Sequence, residues 1–315
     1  MSDTLVFSRE DQSVTPKNAS AKFRGIAMIT AVPFNDRGEF NAPEYRRLIE
    51  HQINGGIRIV QCPLAEEIYY MSDDECWAVM KTLAESTKGS GALSCAIASH
   101  SPSVATIIDN VKRYQDFGID VIKLLAPLHY GLDFGQQQVY DYYASVLAVA
   151  KVPVMLYNQP KRCGVNVSVE VITRLAREFE HVVMLEETNF NQVARIKALA
   201  GKTISIYNKF PFWLAGAAMS CEGFYARTPF IPRQVQELYE LWETGRHDEA
   251  IGMFFDRYDL YALSTPGDSV AALKYALELI GFRMGGVRAP LESDVSQATR
   301  QAFAATLSKH GLVKK

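Results

Sequence analysis

A lysine held out of water, or placed beside another cation, falls in pKa and can attack a carbonyl carbon. Two lysines of this 315-residue chain invite that reading. Lys209 comes just after the apolar stretch Thr203–Tyr207, and Lys123 lies inside Val121-Ile122-Lys123-Leu124-Leu125. Glu222 falls within another apolar stretch, Ser220–Tyr225. An acid there must be paired or have a raised pKa, and either state suits proton transfer. His129 follows the run that holds Lys123 and can serve as an acid or base near neutral pH. Arg162, in Tyr157-Asn158-Gln159-Pro160-Lys161-Arg162-Cys163-Gly164, offers the planar donor fork that matches a carboxylate. Each has a plainer alternative: Lys209 as a solvated loop residue, Lys123 in an internal pair, Glu222 as the partner of Lys123 or Lys209, and His129 at a surface. Glu66, Glu67, Glu186, Glu222 and His129 show no HxH or HxxxH spacing for a metal. No GxGxxG or Walker pattern points to a nucleotide cofactor, so no metal and no cofactor are expected.

The elements that must carry these residues follow from periodicity. Eight short runs rich in β-branched residues recur: Gly25–Val32, Ile57–Cys62, Leu93–Ala98, Val121–Ala126, Val152–Tyr157, Val182–Leu185, Thr203–Tyr207 and Ser220–Tyr225. Stretches of helical period separate them. Asn41 and Pro43 start the first helix, Ser72-Asp73-Asp74-Glu75 reads as a capping box, and Ser101-Pro102 opens a third that Gly118 ends. Strands apolar on both faces, alternating with helices, indicate a parallel sheet covered by helices, and eight units favour a closed (β/α)8 barrel, an α/β fold. The expected organisation is an N-terminal arm over 1–22, the barrel over 23–230, and C-terminal helices over 231–315 packed on it. Those helices are Val235–Trp242, His247–Tyr261, Ser269–Ile280 and Val295–His310. In such barrels reacting groups sit at the C-terminal ends of the strands.

Composition excludes several alternatives. A formal charge of −2 gives no reason to expect nucleic acid or acidic lipid. No apolar run approaches the ~20 residues of a membrane span. Residues 1–22 lack the basic start and apolar core of a secretory signal. Five scattered cysteines without a CxxC pair fit reduced thiols in a cytoplasmic protein.

Three segments carry a family resemblance. Tyr157-Asn158-x-Pro160-x-Arg162-x-Gly164 looks like the YNxPxRTG segment of the dihydrodipicolinate synthase / N-acetylneuraminate lyase family. Gly216-Ala217-Ala218, with the eighth strand and Pro229, is similar to its GAxGxxS…P stretch, and Val287-Arg288-Ala289-Pro290-Leu291 resembles its VRxPL close. The resemblance runs from about Phe23 to Leu291. It implies a TIM barrel with a helical C-terminal extension, often assembled as a homo-oligomer (dimer or tetramer), acting on a small carboxylate. It further implies that Tyr157 shuttles a proton and Arg162 holds a substrate carboxylate.

Departures from the pattern bear on mechanism. The family's GTTGE, whose threonines hold the substrate carboxylate, reads here Pro63-Leu64-Ala65-Glu66-Glu67, which puts Leu64 and Ala65 at the substrate. The family's imine-forming lysine sits in a segment reading IKE. Carried without a gap from Arg162, that lysine falls on Leu185, which has no amine. The aromatic pair after the fourth strand becomes Leu128-His129. Two functions follow as expectations. One is an aldolase-like lyase, cleaving a carbon–carbon or carbon–oxygen bond of a small 2-oxo acid such as pyruvate or a related carboxylate. It would not be authentic dihydrodipicolinate synthase; Lys209, or secondarily Lys123, is its nucleophile, or Glu222 and His129 act without an imine. The other is an inactive relative that binds a small carboxylate or regulates a partner subunit.

Overall fold

The computed structural model describes residues 23–127, 135–264, 269–291 and 293–314. The expected N-terminal arm, Leu128 and His129 lie outside these residues. Eight strands form: β1 (Gly25–Thr30), β2 (Ile59–Pro63), β3 (Leu93–Ile97), β4 (Val121–Leu125), β5 (Val154–Asn158), β6 (Val182–Glu187), β7 (Ser205–Lys209) and β8 (Gly223–Ala226). All neighbours pair in parallel and β8 pairs with β1, so the sheet closes in chain order. All eight apolar runs are strands, shifted by at most three residues at an end.

The intervening helices are α1 (Ala42–Asn54), a short α2 (Ala65–Ile68), α3 (Asp73–Thr87), α4 (Val104–Phe117), α5 (Gln136–Leu147), a short α6 (Pro160–Cys163), α7 (Val169–Glu178), α8 (Val193–Ala200) and α9 (Trp213–Ala218). Local chemistry sets their ends. Asn41 accepts from the Glu44 amide, and Ser72 with Glu75 completes a reciprocal capping box. The cap of α4 is Ser103, which accepts from the Thr106 amide, rather than Ser101; Gly118 closes that helix at φ 85°, in the left-handed region glycine tolerates.

Side chains separate into two layers. Ala27, Ile59, Cys95, Val121, Met155, Met184 and Tyr207, one from each of β1 to β7, pack together inside the barrel. The alternate strand residues, such as Val60, Ile122, Leu156, Leu185, Ile206 and Phe224, join the larger apolar layer beneath the helices. Strand alternation produces this sorting.

Past β8 come α10 (Pro232–Glu243), α11 (His247–Asp256), α12 (Tyr258–Ala262), α13 (Val270–Leu279) and α14 (Gln297–Lys309). The expected single helix over His247–Tyr261 is two, broken at Arg257, whose guanidinium is drawn 2.8 Å from Glu237 on α10. These helices pack on the barrel. Phe303 meets Phe230 edge-on at 5.9 Å, and the buried Lys274 on α13 is 3.0 Å from the equally buried Glu67 of α2. No helix among the described residues is long and apolar enough to cross a membrane.

Candidate active site

The centre of the site is a lysine that the barrel encloses. Lys123, on β4, lies two residues beyond Val121 and so shares its inward face; it is 2% exposed. An ammonium there costs several kcal/mol unless it is paired. It is paired by Glu186 of β6, an ion pair with 0% exposure at the carboxylate. Gln61 of β2 supplies a second acceptor at 2.8 Å. The ring of Tyr157 on β5 lies 4.2 Å from the nitrogen and that of Tyr225 on β8 lies 5.0 Å away, so two π faces complete the shell. Four other strands thus converge on one amine.

Tyr157, the next-to-last residue of β5, faces inward. Burial first, then the nearby Glu186 charge and Tyr225, hold its phenol well above the usual tyrosine range. It stays an O–H donor at neutral pH. Nearer the rim, Arg162 on α6 lies 2.5 Å from Glu66 of α2. Arg227, just past β8 and 3% exposed, reaches the other oxygen of Glu66 at 3.3 Å. Burial alone would raise the Glu66 pKa, but the hydrogen bond and charge of Arg162, with Arg227 behind, pull it below the ordinary carboxylate value. A carboxylate bridging two guanidiniums marks the mouth as an anion-holding place.

The sixth strand corrects the expected place of Leu185, whose side chain does not face the barrel interior. Val154 pairs with Val182, but Met155 pairs with Met184, so Val183 is an extra residue, a β-bulge. A one-residue shift turns every later side chain to the other face. Tyr157 therefore stands opposite Glu186, not Leu185. Leu185 packs outward in the helix-facing layer, completely buried, and cannot touch a substrate in the interior. Of the two adjacent acids, Glu186 is the one inside. Glu187 points outward, takes hydrogen bonds from both Asn158 and Gln192, and is pushed by burial up to about 7 against the pull of those donors.

Glu222 is also corrected. It precedes β8, at the N-terminal end of the barrel, where it pairs with Lys197 of α8 and accepts from the Ile206 amide at 2.9 Å. Neither Lys123 nor Lys209 is its ion-pair partner, and it stands at the end of the barrel opposite the rim, so it takes no part in this site. Lys209 closes β7 in register with Tyr225, two residues beyond the inward Tyr207, which puts it on the inner side at the mouth. Leu64 and Ala65 sit at the end of β2, 2% and 5% exposed, within apolar packing. The sequence reading passed over Gln61, Tyr225 and Arg227. The signal for Gln61 was a polar residue in the otherwise apolar run Ile57–Cys62.

Other features stand apart. A surface groove of about 590 Å³, lined by Arg47, His51, Arg233, Phe282 and Lys314 among others, shares no residue with this cluster. Among the described residues no three His, Cys, Asp or Glu side chains come together to hold a metal ion.

The chain is similar to known proteins along most of its length. A family model described as the dihydrodipicolinate synthetase family matches residues 22–310. A 4-hydroxy-tetrahydrodipicolinate synthase of Acetivibrio thermocellus is 27% identical over 292 residues, covering 92% of this chain and 97% of the relative. One from Geobacter metallireducens is also 27% identical, covering 92% and 100%. Among solved structures, a putative dihydrodipicolinate synthetase from Pseudomonas aeruginosa superposes with a TM-score of 0.85 at 24% identity, covering 91% of this chain and 99% of that one. The enzyme of Cyanidioschyzon merolae, solved with lysine bound, gives 0.85 at 23%, covering 92% and 98%.

Proposed function

This chain belongs to the dihydrodipicolinate synthetase family, and from that premise we propose that it is an aldolase-like lyase acting on a small 2-oxo acid through an imine on Lys123. The observation that carries the reading is the buried Lys123–Glu186 pair beside Tyr157. Taking the bulged residue as an insertion relative to the family sets its Ile-Lys-Glu against Leu185-Glu186-Glu187, and on that reading a carboxylate takes the place of the relatives' amine. The amine comes instead from β4 and reaches the same interior space.

The chemistry balances without an added reagent. Lys123 gives a proton to Glu186 and the free amine attacks the ketone carbon. The carbonyl oxygen takes up protons and leaves as water, and the nitrogen lone pair closes the C=N bond. The resulting cation draws in the electron pair of the adjacent bond as it breaks. Tyr157, kept protonated by its burial, can donate to the fragment that departs or to the enamine carbon. Arg162 and Arg227 take the substrate carboxylate at the rim, displacing Glu66. Lys209 adds positive charge there and is a second candidate nucleophile, less favoured because it is not enclosed with Tyr157 and Glu186.

Three replacements argue for a substrate other than that of dihydrodipicolinate synthesis. Leu64 and Ala65 offer no hydroxyl, and Glu186 no amine. The same loss at Leu64 and Ala65 favours a second reading, a non-catalytic small-carboxylate binder or regulatory subunit. A cytoplasmic homo-oligomer without nucleic-acid or membrane partners accords with both.

Borohydride reduction with pyruvate and a panel of other 2-oxo acids, followed by peptide mapping, tests the proposal. A reduced adduct on Lys123 supports it. An adduct on Lys209 moves the nucleophile to β7. No adduct with any 2-oxo acid, together with measurable binding, leaves the non-catalytic reading.

A further inference from the structure

Gln61 is in hydrogen-bond contact with Lys123, yet the imine scheme above gives it no task. It is 1% exposed, in the middle of β2, inside the barrel. Its orientation follows from its neighbour. A lysine ammonium only donates, so the side-chain oxygen must be the atom 2.8 Å from the Lys123 nitrogen. That leaves Nε2, with two N–H donors, facing away from the ammonium, and it has no hydrogen-bond partner among the described residues. Glu186 is the counterpart. Its Oε2 is committed to Lys123, while Oε1, equally buried, also has no partner among the described residues.

A buried donor or acceptor left without a partner in a barrel interior carries the full cost of its lost hydration. Two such groups, one donor and one acceptor, flank the same amine. A single oxygen that accepts from Gln61 and donates to Glu186 would satisfy both. Among groups reaching an amine-bearing site, a hydroxyl has that character, and a ketone oxygen acquires it once the amine has added.

We propose that Gln61 is a catalytic residue that holds the oxygen of the 2-oxo acid during imine formation and breakdown, with Glu186 exchanging protons with that oxygen from the opposite side. This rests on the Lys123 imine. As the amine adds to the ketone, the C=O π electrons move to oxygen, and Gln61 Nε2–H stabilises the charge that develops. Glu186, carrying the proton taken from Lys123, delivers it to that oxygen. A second proton comes off the nitrogen, again through Glu186, so that water departs as C=N forms. One ammonium and one ketone become one iminium and one water. Hydrolysis runs the same steps backwards and needs the same donor.

The experiment uses the full chain with pyruvate and compares Gln61→Glu with Gln61→Leu. Gln61→Glu keeps an oxygen for Lys123 but replaces the donor; Gln61→Leu removes both. Imine formation is read as the rate of borohydride-trappable adduct on Lys123, breakdown as adduct lost after dilution, and both together as exchange of the ketone oxygen with 18O-labelled water. Binding of propionate, which cannot form an imine, reports whether the site persists, and circular dichroism reports folding. The expected result is a loss on the order of 10²–10³-fold in formation and breakdown alike, the range for removing one oxyanion donor, with propionate affinity within about threefold of wild type. Slowed formation with unchanged breakdown in Gln61→Glu would mean that the residue only tunes the ammonium, and would overturn the inference. So would wild-type oxygen exchange in either variant. Absence of any Lys123 adduct in the wild-type protein would instead defeat the imine reading itself. If Gln61→Leu does not fold, Gln61→Glu alone decides.

Discussion

Lys123 of β4 and Glu186 of β6 form an ion pair inside the barrel, each less than 3% exposed, with the ring of Tyr157 from the intervening strand against the ammonium. Neither charge could remain there alone. Lys123→Met leaves a buried carboxylate uncompensated and should cost about 3–5 kcal/mol of stability, as should Glu186→Leu. The double substitution should recover most of that loss, because two apolar side chains need no partner. Urea unfolding of the three variants gives the coupling; additive losses would mean that the two charges are held by other groups.

The bulge at Val183 makes a separate prediction about which β6 residue faces the chemistry. Exchanging the pair, Lys123→Glu with Glu186→Lys, should keep a trappable amine and move the reduced adduct from the peptide containing residue 123 to that containing 186. Leu185→Lys should instead force an ammonium into the layer beneath the helices, lower stability by several kcal/mol, and yield no adduct at 185. Mass mapping after borohydride reduction distinguishes the two, and an adduct at 185 would return the strand to its unbulged register.

At the rim, Glu66 competes with any incoming carboxylate for Arg162 and Arg227. Arg162→Ala should weaken pyruvate binding by about 2–3 kcal/mol, the lower part of the range for truncating one member of a charge pair, since this arginine keeps a quarter of its side chain exposed. Glu66→Gln should act in the opposite sense and tighten binding several-fold. Titration calorimetry checks both, and equal affinity in all three proteins would remove the arginines from substrate binding.

Glu187 predicts a pH dependence of stability rather than of catalysis. Burial raises its folded-state pKa to about 7 from an ordinary 4.5, against the Asn158 and Gln192 donors. The folded protein therefore binds more protons than the unfolded chain between those values. Its contribution is fully present below pH ~4.5 and is lost as pH rises through ~7, amounting to about 1–3 kcal/mol. Glu187→Gln should flatten that part of the stability curve. Denaturant midpoints at pH 5, 6, 7 and 8 measure it, and parallel curves for the two proteins would exclude the effect.

How much of this was legible beforehand differs by level. The eight strands could be read because β-branched apolar runs alternate with helical periods. The caps at Asn41 and Ser72 could be read because a side-chain acceptor three residues before an unpaired amide is a local matter. Lys123 was legible as a problem, a charge in an apolar strand, but not its solution, since the partners lie on β2 and β6. Glu222 looked the same in sequence and met a different fate, at the far end of the barrel with Lys197.

The sequence by itself determined that eight strands alternate with helices and that a strand lysine had to be neutralised, because hydrophobic period and the cost of burying charge act along the chain. Only the tertiary structure decided which face of β6 looks inward. One extra residue at Val183 changes the direction of every side chain after it, and hydrogen-bond pairing with β5, not local composition, decides where that residue is absorbed. That choice turns Leu185 outward and puts Glu186 against Lys123.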